Sequence, residues 1–159
     1  MLEKLESPPI VYLADFPQHL STVAGWIFAE WGHLIPSLTL NAVEEKLHTH
    51  LNHTIIPLTL VALLGDQPVG TASLMFTDMS SRPDLSPWLA SVYVAPEHRK
   101  QGIGSQLTKA IEEISQGLHV KKLFLFTPDQ EHFYARLGWS VLDRTEYRGQ
   151  QVVVMYRTM

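Results

Sequence analysis

The sequence contains no cysteine, which removes both disulfide staples and thiol catalysis from consideration. It has no surplus of positive charge either: 12 Lys and Arg stand against 16 Asp and Glu, for a net charge of −4. The cations are scattered, so nucleic acid is not expected as a partner. Long apolar runs are missing. The first residues, Met1-Leu2-Glu3-Lys4-Leu5-Glu6, lack the apolar stretch of a signal peptide, and no later segment approaches a membrane span. These absences predict a cytoplasmic protein that engages no membrane. Repeats and low-complexity tracts are absent too, and 159 residues suit one domain, 1–159, with one substantial core.

What is present begins with Val92-Tyr93-Val94-Ala95-Pro96-Glu97-His98-Arg99-Lys100-Gln101-Gly102-Ile103-Gly104-Ser105. The segment reads as a buried strand that breaks at a proline, passes through a basic glycine-bearing loop and opens a helix. Such a loop offers backbone N–H groups at a helix start together with positive side chains, which suits a pyrophosphate. Ile103, Leu107, Ala110, Ile111 and Ile114 follow at helical spacing, and Gly117 is placed to stop the helix. Two other phosphate loops fit poorly. A dinucleotide-binding unit wants G-x-G-x-x-G early in the chain; here Leu107 occupies the third glycine position and the loop lies past the middle. A P-loop needs a glycine followed by lysine, and no glycine here has one.

A second motif is Phe133-Tyr134-Ala135-Arg136-Leu137-Gly138-Trp139. It follows Lys122 to Thr127, whose Leu123, Phe124, Leu125 and Phe126 suit a strand buried on both faces. Thr127-Pro128-Asp129 gives a turn with an acceptor side chain for a short helix, which Asp129 would cap and Gly138 would end.

The rest of the chain reads as follows. Pro9 to Leu13 forms a first strand, and Phe16-Pro17 opens a helix carrying Leu20, Val23, Ala24, Ile27 and Phe28. Trp31-Gly32-His33 interrupts it, and Ser37 caps a second helix bearing Leu40, Val43, Leu47 and Leu51. Leu58 to Leu64 and Val69 to Met75 form a hairpin about Gly65-Asp66-Gln67-Pro68. Met79 to Ser86 is a surface loop before the strand Trp88 to Val94, and Asp143 to Gly149 is a polar loop before the last strand, Gln151 to Tyr156. The strands Trp88 to Val94 and Lys122 to Thr127 are joined by a helix, so they are expected to be parallel neighbours.

The spacing Arg99-x-x-Gly102-x-Gly104, followed one strand later by F-Y-x-x-x-G-W at Phe133 to Trp139, resembles the GCN5-related N-acetyltransferase (GNAT) superfamily. The resemblance covers nearly the whole order of elements. It implies an α/β (α+β) fold: a mixed, mostly antiparallel sheet of about six to seven strands, flanking helices, and a parallel strand pair that splays to admit the cofactor. It implies acetyl-CoA as cosubstrate and acetyl transfer to a primary amine, of a small molecule or a peptide N-terminus, by direct attack in a ternary complex. The pyrophosphate would rest on Arg99, Lys100, Gln101, Gly102, Ile103, Gly104 and Ser105. Backbone groups of Val92 and Val94 would pair with the pantetheine arm, a backbone N–H near Val92 would serve the oxyanion, and Tyr93 and Thr127 belong to the same wall. Tyr134 would be the acid that protonates the thiolate, as a phenol of ordinary pKa stays protonated at neutral pH.

The general base is not assigned by the resemblance. Many relatives carry a carboxylate on the cofactor strand, where this chain has Ala90-Ser91. Glu30, Asp78, Asp129, a water relay, His132 and His33 remain as candidates. Trp31 and His33, at the break between the first two helices, are candidates for the acceptor pocket through cation–π and hydrogen-bond contacts; the competing reading is a tryptophan plugging a helix corner. His48, His50 and His53 read as a solvated helix end and not as a metal site, since the first two point to different faces of a helix. A homodimer is left open. The alternative function is a non-catalytic acyl-CoA-binding or sensor module, which would keep the loop but would not need Tyr134.

Overall fold

A computed structural model describes residues 7–159; the reading of Met1 to Glu6 as lacking a signal-like stretch lies outside them. The elements are β1 (Ile10–Tyr12), α1 (Leu20–Trp31), α2 (Leu40–His48), β2 (Leu58–Leu64), β3 (Gln67–Met75), β4 (Trp88–Val94), α3 (Ile103–Gly117), β5 (Lys122–Thr127), α4 (Glu131–Arg136), β6 (Ser140–Tyr147) and β7 (Gln150–Thr158). They build one seven-stranded sheet in the order β1-β2-β3-β4-β5-β7-β6. Every neighbouring pair is antiparallel except β4 and β5. Among the described residues no helix is long and apolar enough to cross a membrane.

Period-two alternation sorts the sheet into two cores. Leu58, Leu60 and Ala62 of β2 and Ala72 and Leu74 of β3 meet Ile103, Leu107 and Ile111, the buried stripe of α3. On the opposite face Val61 packs with Leu20, Val23 and Ala24 of α1 and Val43 and Leu47 of α2. β5 is apolar on both sides for the same reason: Leu123 and Leu125 join the α3 side, while Phe124 packs with Met79, Trp88 and Val154 on the other.

β4 and β5 share a single ladder position, Trp88↔Phe124, and part from there toward their C-terminal ends. Trp88 is the pivot. It has no exposed surface, its ring lies 6.0 Å from Phe124 and 6.2 Å from Phe126, and its indole Nε1 donates to Leu85 O at 2.7 Å. Truncating such a residue to alanine costs about 3–5 kcal/mol, so the V between the strands hinges on a fixed point.

Several boundaries differ from the sequence reading, each for a local reason. Pro17 opens a 3-10 turn, Pro17–His19, and α1 proper starts at Leu20. The cap of α2 is Thr39, whose Oγ1 accepts from Ala42 N at 3.1 Å; Ser37 instead sits at φ +66 in the approach. Gly117 lies inside α3, and His119 at φ +63 takes the left-handed position that ends it. Asp129 caps nothing: Thr127 Oγ1 accepts from Asp129 N at 3.4 Å and Gln130 N at 3.0 Å. The stretch read as a loop from Asp143 is β-strand as far as Tyr147, and only Arg148 and Gly149, both at positive φ, make the turn into β7. β6 is an edge strand, where charged side chains are the usual protection against further pairing, and polar residues there imitate a loop.

Candidate active site

Where β4 parts from β5 its backbone is also deformed. The register with β3 runs Thr71↔Tyr93 and then Ser73↔Ala90, so β4 spends one extra residue over this step. Ser91 takes the strain at φ +55, which an L-residue occupies at a cost of about 1–2 kcal/mol. A bulge of this kind re-aims the groups beside it. Because the β5 ladder stops at Trp88, the β5-facing backbone groups from Ala90 to Val94 have no strand partner. Polar groups without partners, held rigid along one wall of a slot, are suited to an amide-bearing chain laid beside them.

The slot is part of a cleft of about 1250 Å³. Val92, Tyr93 and Val94 line it from β4 and Leu125, Phe126 and Thr127 from β5. At its open end is the loop singled out from sequence. Arg99, Lys100, Gly102, Ile103, Gly104 and Ser105 line the cleft, whereas Gln101 does not. Lys100 lies at φ +63 and Gly102 at φ +83, a paired left-handed turn that swings the chain directly into the first turn of α3. Gly102 serves conformation, since a Cβ there would meet nothing within 4 Å. Gly104 serves space: its Cβ would lie 3.4 Å from the Phe133 ring and 3.8 Å from Val94, so any larger side chain must project into the cradle. The fifteen-residue α3 aims its free N–H groups at this cradle. Arg99 is partly engaged already, donating from Nε to Val94 O at 2.8 Å with its guanidinium carbon 5.4 Å from the Tyr93 ring centre. These residues fit a pyrophosphate-bearing cosubstrate.

Tyr134 lines the same cleft from α4, although only 7 % of its surface is exposed. Edge-on contacts to Phe133 and Trp139 hold the ring. Burial, and secondarily the Asp129 carboxylate, pushes its phenol above the ordinary value, so it is protonated across the physiological range. Trp139 is held in turn by Glu112, whose Oε1 accepts from the indole Nε1 at 3.0 Å and pairs with Arg157 Nε at 3.2 Å. Burial first of all pushes Glu112 up, with Arg157 opposing. Arg157 also donates from Nη1 to Leu137 O beside Gly138. The aromatic and glycine of the second motif therefore anchor α4 to α3 and β7. Nothing in the spacing of Glu112 and Arg157 announces that tie.

The other half of the cleft lies on the α1–α2 side of the sheet. Trp31 and His33 both line it. Trp31 meets the Tyr93 ring edge-on at 6.4 Å, and Trp26, earlier on the same helix, tilts against it at 5.3 Å, so Trp31 braces β4 as well as walling the cleft. His50 overturns the reading of a solvated histidine cluster. It is 3 % exposed, with Nδ1 2.9 Å from Thr59 Oγ1, which is 2.7 Å from Ser73 Oγ. Burial, aided by Lys46, pushes the His50 pKa down to about 4, so the ring is neutral at pH 7. His53 is separate and pairs with Asp15 at 2.7 Å. Of the carboxylates proposed as base, Asp78 is half-buried in the cleft wall, and burial pushes it up to about 7 against the pull of Lys46 and Arg148. Glu30 and Asp129 line the cleft too but are exposed. His132 lies outside this cleft, in a small depression with Glu131 and Arg144.

A sequence profile for the acetyltransferase (GNAT) domain matches residues 57–141, more than half of the chain. Solved structures of the same fold are many. A GCN5-related N-acetyltransferase from Rhodopseudomonas palustris is 21% identical, with a TM-score of 0.71 and complete coverage of both chains. An aminoglycoside 6'-N-acetyltransferase from Enterococcus faecium is 15% identical over 94% of this chain and 96% of its own, with a TM-score of 0.72. A putative streptothricin acetyltransferase from Bacillus anthracis, solved with acetyl coenzyme A, is 17% identical over 71% of this chain and 68% of its own, with a TM-score of 0.60.

Proposed function

Since the chain belongs to the GNAT acetyltransferase family, we propose that it transfers an acetyl group from acetyl-CoA to a primary amine, by direct attack within a ternary complex. The observation that carries this reading is the juxtaposition of three parts in one cleft: the unpaired edge of β4, the helix-start cradle, and a buried phenol facing them from α4.

The cradle from Arg99 to Ser105 holds the pyrophosphate through backbone N–H groups and charge, and Gly104 keeps it open. Backbone groups along Val92 and Val94 orient the pantetheine amides in the slot. A backbone N–H at the Ser91–Val92 bulge, held by the register shift with β3, is the donor assigned here to the charge that develops on the carbonyl oxygen, since a preorganised N–H stabilises such charge without reorganising. Tyr134, protonated at all relevant pH values, donates its proton to the departing thiolate. The amine must lose a proton to be nucleophilic. Asp78 is the carboxylate suited to take it, directly or through water, because it is partly ionised near neutrality and lines the acceptor side. Starting from the ammonium form, one C–N bond forms and one C–S bond breaks, and the nitrogen gives up two protons, one passing through Asp78 to solvent and one matched by the proton that reaches the sulfur.

The test is thiol release from acetyl-CoA across a panel of primary amines, with product mass confirming N-acetylation. Amine-dependent release is expected. Tight CoA binding by calorimetry with no release on any amine would instead leave a non-catalytic acyl-CoA binder, and absence of CoA binding would remove both readings.

A further inference from the structure

We propose that the acceptor amine also carries an anionic group, a carboxylate or a phosphate, which Lys46 and Arg148 receive. The inference rests on the acetyltransferase reading above and narrows its substrate.

The acceptor half of the cleft is charged in a particular way. Its carboxylates are Glu30 on α1 and Asp78 in the β3–β4 loop; its cations are Lys46 on α2 and Arg148 in the β6–β7 turn; His33 and His50 are its imidazoles. Asp129 and Arg136 lie on the α4 side with Tyr134. Lys46 on α2 and Arg148 in the β6–β7 turn line the cleft together with Asp78, and both cations oppose the effect of burial on that carboxylate. Among the described residues neither Lys46 nor Arg148 forms an ion pair, and Arg148 is engaged with Tyr147 alone. Glu30, near the end of α1, is exposed, as are Lys46 and Arg148. With His50 neutral at pH 7, two carboxylates and two cations stand side by side in this wall, a pattern that matches an acceptor carrying both an ammonium and an anion.

The framework holds these charges in place. Tyr147 hydroxyl accepts from Ser80 N at 3.2 Å and lies 3.3 Å from Ser80 Oγ, which ties the loop bearing Asp78 to the turn bearing Arg148. The Arg148 guanidinium carbon stands 5.1 Å from the Tyr147 ring centre, so the cation is steadied above that junction. A polycationic amine finds Glu30 and Asp78 for its ammonium groups but sets like charge against Lys46 and Arg148. An amine with an anionic substituent places its nitrogen near Asp78 and its anion against Lys46 and Arg148, an attraction that salt screens because both cations are exposed.

The experiment uses the full chain with acetyl-CoA and matched acceptors. 4-(Aminomethyl)benzoate is set against 4-(aminomethyl)benzamide, O-phosphoethanolamine against ethanolamine, and the polycation kanamycin serves as the opposite extreme. The expected result is kcat/KM about five- to tenfold higher for the anionic member of at least one pair, carried by KM, as suits two exposed ion pairs. The pair that shows it tells carboxylate from phosphate. In Lys46→Met and Arg148→Met the ratio should fall toward one, and 0.5 M NaCl should shrink it in the wild type. Calorimetry of the same amines on the CoA-loaded protein reads the preference even if no thiol is released, which separates failure of this proposal from failure of the acetyltransferase reading. Equal or weaker binding of both anionic members, faster acetylation of kanamycin, or a ratio that survives in both variants would overturn it.

Discussion

The two halves of the cleft are built on different principles. Most of the cofactor half is one run of chain: the end of β4, the turn at Lys100 and Gly102, and the first turn of α3 all lie within Trp88 to Ser105, with β5 and α4 closing the facing wall. The acceptor half is assembled from α1, α2, the β3–β4 loop and the β6–β7 turn, whose charged residues Glu30, Lys46, Asp78 and Arg148 span most of the sequence. A binding site for a constant phosphate can be encoded in one stretch of backbone, because its partners are N–H groups whose placement depends on local φ and ψ. A site that must select among amines needs side chains from several directions. Change in it is cheap because each wall can vary without disturbing the others.

The largest effects should separate chemistry from binding. Tyr134→Phe keeps the ring against Phe133 and Trp139 and removes only the hydroxyl, so CoA affinity should hold while kcat falls roughly 10²- to 10⁴-fold. A Phe variant within about threefold of wild type, where chemistry limits turnover, would show that the phenol is not the acid. On the acceptor side, kcat/KM should rise with pH through a midpoint near 7 as Asp78 ionises, and Asp78→Asn should lose that limb along with most of the rate. An unchanged midpoint in Asp78→Asn would assign the limb to another group.

Next in size is the cradle. Gly104→Asp projects a carboxylate past the Phe133 ring into the phosphate site, and CoA affinity should fall by roughly a hundredfold or more, about 3 kcal/mol. Gly104→Ala adds only an ordinary contact at 3.4 Å and should bind within a few-fold of wild type. Calorimetry on both variants, each checked for folding by circular dichroism, distinguishes charge from crowding. Near wild-type affinity in a folded Gly104→Asp would remove the phosphate from this loop.

A smaller effect, in stability, pits two groups of the acceptor half against each other. His50 has its folded pKa depressed from 6.5 to about 4, so the unfolded chain binds the extra proton. It therefore contributes stability above pH 6.5 that is lost as pH falls toward 4, of the order of 3 kcal/mol in full. Asp78 is raised from 3.8 to about 7; the folded chain binds the extra proton, and stability from this group grows as pH falls from 7 toward 4. The slopes oppose each other, so the wild-type melting temperature should be nearly flat from pH 7 to 5 as far as these two decide it. In Asp78→Asn the melting temperature should drop over the same range, exposing His50. Thermal scans of both proteins at pH 5, 6 and 7 check this; parallel curves would show that Asp78 does not titrate as its burial demands, and a flat curve in Asp78→Asn would show the same for His50.

The legibility of the two halves in sequence follows the same division. The parallel pairing of β4 and β5 was foreseeable from apolar strands on either side of a helix, their divergence after Trp88↔Phe124 only from the family resemblance, and the cradle from its glycines. The bulge at Ser91 was not, because it is a mismatch of register between two strands and belongs to neither. His50 looked like one of three solvated histidines; its burial depends on Thr59 and Ser73, contributed by the hairpin that packs beneath it. The placing of Lys46 and Arg148 in one cleft is likewise tertiary, since the two are about a hundred positions apart and neither has a periodic signature. Glu112 and Arg157 fall in the same class, as two unremarkable charges until the fold puts both against Trp139 and Gly138.

The smallest expected effect asks whether the cofactor edge is maintained at a cost. Ser91 at φ +55 forfeits about 1–2 kcal/mol relative to a residue free of the Cβ clash. Glycine removes that clash but gives roughly 0.5–1 kcal/mol back through the entropy of the unfolded chain. Ser91→Gly should therefore be neutral to stabilising by about 0.5–1 kcal/mol, a rise of roughly one to four degrees in melting temperature for a chain of this size. Ser91→Ala keeps the Cβ and should gain nothing. The catalytic readout runs the other way if the strain has a use: a glycine lets the bulge relax, so the Val92 backbone N–H is held less firmly and kcat should fall modestly while CoA affinity stays close to wild type. A Ser91→Gly protein both less stable and equally active would show that the bulge is fixed by packing around Trp88 and Tyr93, with the left-handed serine costing nothing that glycine could recover.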